Sequence, residues 1–129
     1  MIRLVAAPFP AEDALAPLWL AAWGAPIAPG YAENVLKRSL VHVAAYDRDR
    51  LVGLVNVAWD GGVHAFLLDT TVHPQWQRQG IATSLIRRAA DLARERGAHW
   101  LHVDFEPHLE GFYRGCGFRP TAAGLIALK

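Results

Sequence analysis

Three apolar runs separated by very short polar turns constrain this chain more than any other feature. LVHVAAY (residues 40–46), LVGLVNVAW (51–59) and VHAFLLDTTV (63–72) are divided only by DRDR and DGG. Connections that short join antiparallel neighbours, because a parallel return needs a crossover of a dozen or more residues. A three-stranded meander is therefore expected. After Gly80 the period changes. Ile81, Leu85, Ala89, Leu92 and Ala93 fall on one side, Arg87, Arg88, Asp91, Arg94 and Glu95 face elsewhere, and Gly97 closes the segment. This is the pattern of an amphipathic helix of about four turns. WLHVDF (100–105) follows as another strand. The unit from 63 to 105 is thus a strand, helix and strand, which requires a right-handed crossover and a parallel pair.

The flanking segments are read in the same way. IRLVA (2–6) makes a first strand, broken by Pro8 and Pro10 before the helix-favouring EDALAPLWLAAW, in which Pro17 marks an early turn or kink. Residues 25–30 are a loop, and YAENVLKRS is a second short helix. A short helix through LEGFYR and a terminal strand pair around GFRP and GLIAL complete the chain. With 129 residues, one core and a single domain over residues 1–129 are expected. The formal net charge of +1 supplies no global field for nucleic acid. No run approaches the roughly 18 apolar residues of a membrane span, and prolines and acids interrupt the N-terminal apolar residues, so a secretory start is poorly supported. Cys116, the sole cysteine, has no internal disulfide partner. A reducing, cytoplasmic setting is the expectation.

The segment VHPQWQRQGIATSL (72–85) leads from the third meander strand into the long helix. At a helix start the first amides have no intrahelical partner, and the helix dipole adds partial positive charge. Gly80 and Ala82 leave room for an anion to approach those amides, while Thr83 and Ser84 add hydroxyls and Arg78 adds charge. A diphosphate cradle is one reading. A plain strand-to-helix turn uses the same small residues and is the other.

The wider context bears on that choice. VHPQWQRQGIA, with Val72, Pro74, Gln77, Gly80 and Ala82, resembles the acyl-CoA loop of the GCN5-related N-acetyltransferase (GNAT) superfamily, whose pattern is Gln or Arg, two residues, Gly, one residue, Gly or Ala. FYRGCGF (112–118) is similar to the family's Phe-Tyr-x-x-x-Gly-Phe segment, and the order of elements resembles the family across nearly the whole chain. The resemblance implies an α/β (α+β) fold: a mixed, mostly antiparallel sheet with a central parallel pair that splays apart, flanked by helices. It further implies acetyl transfer from acetyl-CoA, a co-substrate entering the splayed opening, to a primary amine by direct attack. Val72 would end the strand that pairs with pantetheine amides. Gln77 occupies the motif's first position, and Arg78, Gln79, Gly80, Ile81, Ala82 and Thr83 would surround the diphosphate. Tyr113 would protonate the departing thiolate, although a packed core tyrosine is also compatible with that position. The acceptor would be a small-molecule or peptide amine. No nucleic acid, membrane or metal partner is expected, and a homodimer is left open.

Two stretches depart from the family pattern. Many relatives carry a glutamate near the middle of the third meander strand, where FLLDTTV places Phe66 and Leu68 on one face and only Asp69 on the other. Asp69 is a candidate base or a residue that pins the backbone. In LHVDFEPH, alternation puts His102, Asp104 and Glu106 on one face. Glu106 falls where relatives often have an asparagine that helps hold CoA, and a carboxylate cannot donate that bond unless protonated. Glu106 is therefore a candidate amine binder or general base, with His108 nearby. A divalent-ion site including His64 and a hydrogen-bonded polar seam are the competing readings of the same face. Cys116 lacks a histidine-and-acid arrangement and reads as a small structural residue. Trp76 is expected to be exposed beside the cofactor. A non-catalytic acyl-CoA-binding or regulatory module is the alternative to an enzyme, supported by the missing strand glutamate.

Overall fold

The computed structural model describes residues 1–129. Five strands form one sheet in the order of the sequence: β1 (Ile2–Ala6), β2 (Val41–Asp47), β3 (Arg50–Trp59), β4 (His64–Val72) and β5 (Trp100–His102). The first three pairings are antiparallel, and β4 with β5 is parallel. The helices are α1 (Glu12–Trp23), α2 (Tyr31–Asn34), α3 (Ile81–Glu95) and α4 (Glu110–Gly115). This is the mixed, mostly antiparallel sheet expected from the turn lengths. No helix is long and apolar enough to cross a membrane.

β3 is central and buried on both faces, which explains why LVGLVNVAW is apolar almost without interruption. On one face α3 lays Leu85, Ile86 and Ala89 against Val43, Val52, Val55 and Val57. On the other, Leu15 and Leu18 of α1 pack with Tyr31, Leu36, Leu51 and Leu54. α1 continues through Pro17 as one helix, although a proline removes one ladder donor and crowds the carbonyl four residues back; the buried Leu15 and Leu18 on either side hold the helix against the core. The second helix is shorter than its sequence suggested. It stops at Asn34, and Leu36–Arg38 form a separate 3-10 turn.

β4 carries the irregularity that shapes the rest. Leu68 pairs with Asn56 and Thr71 with Leu54, so Asp69 and Thr70 both stand opposite the single residue Val55. Asp69 has φ of 57°, a left-handed conformation that aspartate tolerates better than most residues. A bulge of this kind bends its strand and reverses the alternation beyond it. Leu67 before the bulge and Val72 after it therefore share the α3 core.

One expected element is shorter than its pattern and another is absent. The strand at 100–105 ends at His102, because pairing with β4 stops at Phe66 and His102. Leu101, Val103 and Phe105 still pack on the α3 core, while Asp104 and Glu106 are exposed. The terminal strand pair is not formed. Residues 118–129 adopt neither helix nor strand, and Leu125, Ile126 and Leu128 are 85%, 85% and 94% exposed. A strand needs a neighbouring edge for its backbone groups, and this segment makes no backbone hydrogen bond to one.

His42 fastens the segment after β1 to the sheet. It is buried in β2, donates from Nε2 to the Pro8 carbonyl at 2.5 Å and meets Phe9 edge-on. Burial holds its pKa below the ordinary histidine value; the bond to Pro8 opposes that shift and Arg96 adds to it. A histidine with a depressed folded pKa binds fewer protons when folded, so its full contribution to stability is present above the unfolded value of about 6.5 and declines as the pH falls through and below it. Resistance to urea should accordingly fall between pH 7 and pH 5, and His42→Asn should flatten that part of the profile. Identical pH profiles for the two proteins would remove His42 as the cause.

Candidate active site

Beyond Phe66 and His102 the two parallel strands part, and a cleft of about 590 Å³ opens on the α3 side of β4. Its floor is Thr70 and Val72, one wall is the loop and first turn of α3, and the other is Leu109, Phe112 and Tyr113. That volume lies within the ordinary range for small-molecule sites.

The loop is braced by its own side chains. His73 Nδ1 accepts from the Gln75 amide at 3.1 Å, starting the 3-10 turn Pro74–Trp76. Gln77 Nε2 donates to the Val72 carbonyl at 3.2 Å, so the motif glutamine closes off the end of β4. Trp76 is partly buried rather than free. Its Nε1 donates to Asp47 at 2.9 Å, and the Arg50 guanidinium lies 4.7 Å from its ring centroid.

Arg78 and Gly80 both take positive φ, 63° and 78°. This backbone turn leaves the amides of residues 78–83 without any acceptor in the protein, and the first helical bond is Ser84 N–H to the Gly80 carbonyl at 3.0 Å. An added Cβ at Gly80 would meet nothing within 4 Å, which shows that the space in front of the helix start is open. Successive free amides, the positive end of a 15-residue helix and the Arg78 side chain make the wall electropositive and rich in donors.

Tyr113 stands opposite. It is 8% exposed, stacks on Phe105 at 4.9 Å and meets Phe112 and Phe118 edge-on. Burial raises the pKa of its phenol, with the side chain of Thr70 acting in the other direction. A phenol held above its ordinary value of about 10 stays protonated at neutral pH.

Of the residues singled out in the sequence, Val72, Gln77, Arg78, Gly80, Ile81, Ala82, Thr83 and Tyr113 line this one cleft. Gln79, Asp69 and Glu106 do not. The bulge sends the Asp69 carboxylate to the α1 and α2 face, where it accepts from the Tyr31 hydroxyl at 2.7 Å. That is the face of Leu68, not the opposite one expected from strict alternation. Burial, then the bond and charge of Asp69, push the Tyr31 phenol far up, so this bond keeps its proton on tyrosine. Glu106 is exposed on the segment after β5, next to the 3-10 turn Pro107–Leu109. His64 and His102 do meet, Nδ1 to Nε2 at 2.9 Å, and Phe66 stacks on His102 at 4.8 Å. No group of three or more His, Cys, Asp or Glu side chains is gathered for a metal ion. Sequence reasoning missed Thr70, because only the bulge turns it toward the cleft. It also missed the pairing of Trp23 Nε1 with Thr71 Oγ1 at 3.0 Å, which ties α1 to the same strand.

The model of the acetyltransferase (GNAT) family matches residues 4–118. A GNAT-family acetyltransferase from Streptococcus pneumoniae is 30% identical in structure-based comparison, with a TM-score of 0.82 over 100% of this chain and 98% of that one. Aminoglycoside N-acetyltransferase AAC(6')-Iy, solved with CoA, is 16% identical with a TM-score of 0.79 over 100% of this chain and 95% of that one, a likeness of fold. Mycothiol acetyltransferase of Mycobacterium ulcerans is 27% identical over 86 residues, 64% of this chain. That match spans only 27% of the length of the mycobacterial protein.

Thr70→Val should remove the influence that lowers the Tyr113 phenol and move its ionisation further up. Ultraviolet titration of tyrosinate, with Tyr113→Phe as the reference that identifies the transition, checks this. An unmoved transition would separate Tyr113 from Thr70.

Proposed function

The chain belongs to the acetyltransferase (GNAT) family, and from that membership and the cleft we propose that it moves an acetyl group from acetyl-CoA to a primary amine by direct attack. The observation that carries this reading is the row of unpartnered amides at residues 78–83, with open space beside Gly80 at the helix start. Such a row matches the acceptor oxygens of a diphosphate, a part shared by every acyl-CoA. Acetyl-CoA supplies an activated thioester, and no covalent enzyme intermediate is needed.

The residues of the chain have separable tasks in this scheme. Gly80, Ile81, Ala82 and Thr83 offer amides, and Arg78 adds charge at the rim. Val72 and Thr70 form the floor along which the donor's arm lies. Since the Val72 carbonyl is already engaged by Gln77, that residue fixes the loop relative to the floor instead of reaching for the ligand. Tyr113, protonated and held among three aromatic rings, donates a proton to the leaving sulfur. Positioning of the two reactants supplies much of the remaining acceleration.

The acceptor approaches from the α1 and α2 side, where β5 has left β4. Glu106, exposed on the segment between β5 and the cleft residue Leu109, attracts the ammonium form of the amine and takes up its proton directly or through water. Asp69 holds Tyr31 and thereby α2 against β4, a positioning role. The cleft lining contains no carboxylate or histidine, which is the specific observation favouring a binding module without turnover. Thioester turnover against a broad panel of amines separates the two readings: CoA release with any amine supports transfer, and tight CoA binding without release supports the module.

Gly80→Glu places a carboxylate in the space before the amides and should abolish acetyl-CoA binding while the fold survives. Calorimetric titration showing wild-type affinity in a folded variant would dismiss the cradle. Tyr113→Phe removes one hydroxyl and little packing. Turnover should fall at least about tenfold, ~1.4 kcal/mol of barrier, with acetyl-CoA affinity nearly unchanged. Undiminished turnover would make Tyr113 a packing residue and solvent the proton source.

A further inference from the structure

His73 stands where β4 ends and the loop of the cleft begins, and each of its polar groups is engaged. Its backbone N–H donates to the Val52 carbonyl of β3 at 2.8 Å, and its own carbonyl accepts from the Trp76 amide at 2.8 Å. Two donors converge on its ring. The Gln75 amide points at Nδ1 from 3.1 Å, and the Arg50 guanidinium points at Nε2 from 3.3 Å. Trp76 meets the same ring edge-on at 5.1 Å and carries Arg50 over its own face at 4.7 Å.

A neutral imidazole has one bare nitrogen and one N–H, so it accepts one of these two bonds at a time. An imidazolium has no bare nitrogen. It accepts neither bond and sets a second positive charge beside Arg50. No carboxylate is bonded to the ring to offset that charge, because Asp47, the acid of this cluster, accepts from Trp76 Nε1 and pairs with the terminal ammonium. The ring fits its surroundings only when uncharged. Burial and then Arg50 hold the His73 pKa below the ordinary value of about 6.5, the direction this geometry requires.

The consequence lies further along the chain. Pro74 has no N–H, so Gln75 carries the first amide of the 3-10 turn and His73 caps it. The turn delivers Gln77, whose side chain closes on the Val72 carbonyl, and then Arg78 and Gly80, whose positive φ values leave the amides of residues 78–83 free. We propose that uncharged His73 is a positioning residue for the donor site, locking the turn that presents those amides, and that its protonation releases the loop and weakens acetyl-CoA binding. The statement about acetyl-CoA rests on the function proposed above, and the statement about the loop does not. Since the ring binds a proton less readily in the ordered loop than in a released one, the order is complete above about pH 6.5 and declines as the pH falls through and below it.

Nuclear magnetic resonance of the free protein, titrated from pH 7.5 to 5.5, reads the loop without ligand. The His73 ring should titrate below about 6.5, and the Gln75 amide and the Trp76 indole N–H should shift with the same midpoint. Ring titration with those two signals unmoved overturns the inference. Calorimetric titration of acetyl-CoA across the same range reads the site. Asparagine caps well and does not titrate, so His73→Asn should bind like wild type at pH 7.5, whereas His73→Ala should bind more weakly throughout. Towards pH 5.5 the wild-type affinity should fall about three- to tenfold more than that of His73→Asn, about tenfold being the limit for one proton over this range. The phosphates of acetyl-CoA take up protons equally for both proteins and cancel in the comparison. Parallel profiles for wild type and His73→Asn overturn the inference. Absence of acetyl-CoA binding at every pH sinks the proposed function instead, and the resonance titration then decides the role of His73.

Discussion

One extra residue in β4 organises this molecule. Because Asp69 and Thr70 share a single partner, everything after them on the strand is turned through half a pleat relative to everything before. Without that slip Thr70 would face the α1 helix, Asp69 would face the α3 core as an unpaired buried acid, and Val72 would leave the core it helps close. The bulge also bends β4 away from β5 a few residues after their pairing begins. The cleft is the space that this divergence leaves open.

The two sides of the strand then serve different ends. On the α3 side the backbone itself supplies the polar chemistry, through amides that a left-handed turn at Arg78 and Gly80 strips of partners. On the α1 side the polar groups are side chains, Tyr31 on Asp69 and Trp23 on Thr71, each engaged with a residue of the bulge region. In the proposed reading, recognition of the donor would rest on main-chain geometry and that of the acceptor on which residues α1, α2 and their loop present.

Much of this was legible beforehand, and the limits are instructive. Turn lengths of DRDR and DGG require the meander, and the shift to a helical period after Gly80 requires the parallel return; both are present as read. The loop residues assemble as a group because they are contiguous, so any helix start there brings them together. Asp69 was misplaced because alternation assumes an unbroken pleat, and a bulge at an aspartate has no distinctive composition. The ends of β5 and of the chain were misjudged for a related reason. WLHVDF and GLIAL have the pattern of strands, but pattern shows which faces are apolar and not whether a hydrogen-bonding neighbour is within reach.

The loop at residues 24–30 has a property that follows from its anchors. Its two flanking residues, Trp23 and Tyr31, are held by side-chain bonds to Thr71 and Asp69, two positions apart on one strand. The chain between them is therefore a closed ring whose span is set by β4, whatever its own sequence. For such a ring the entropic cost grows only with the logarithm of length, about 0.6 kcal/mol for each doubling. Added length between these anchors is therefore cheap in entropy, while Ile27, packed on the α1 and α2 core, and the positive-φ Gly24 and Gly30 remain constrained; the neighbouring loop at residues 73–80 can change little without losing its turn. Selection can therefore rewrite one rim of the opening while the other stays constant, which is the arrangement expected of a scaffold that keeps one ligand and exchanges the other.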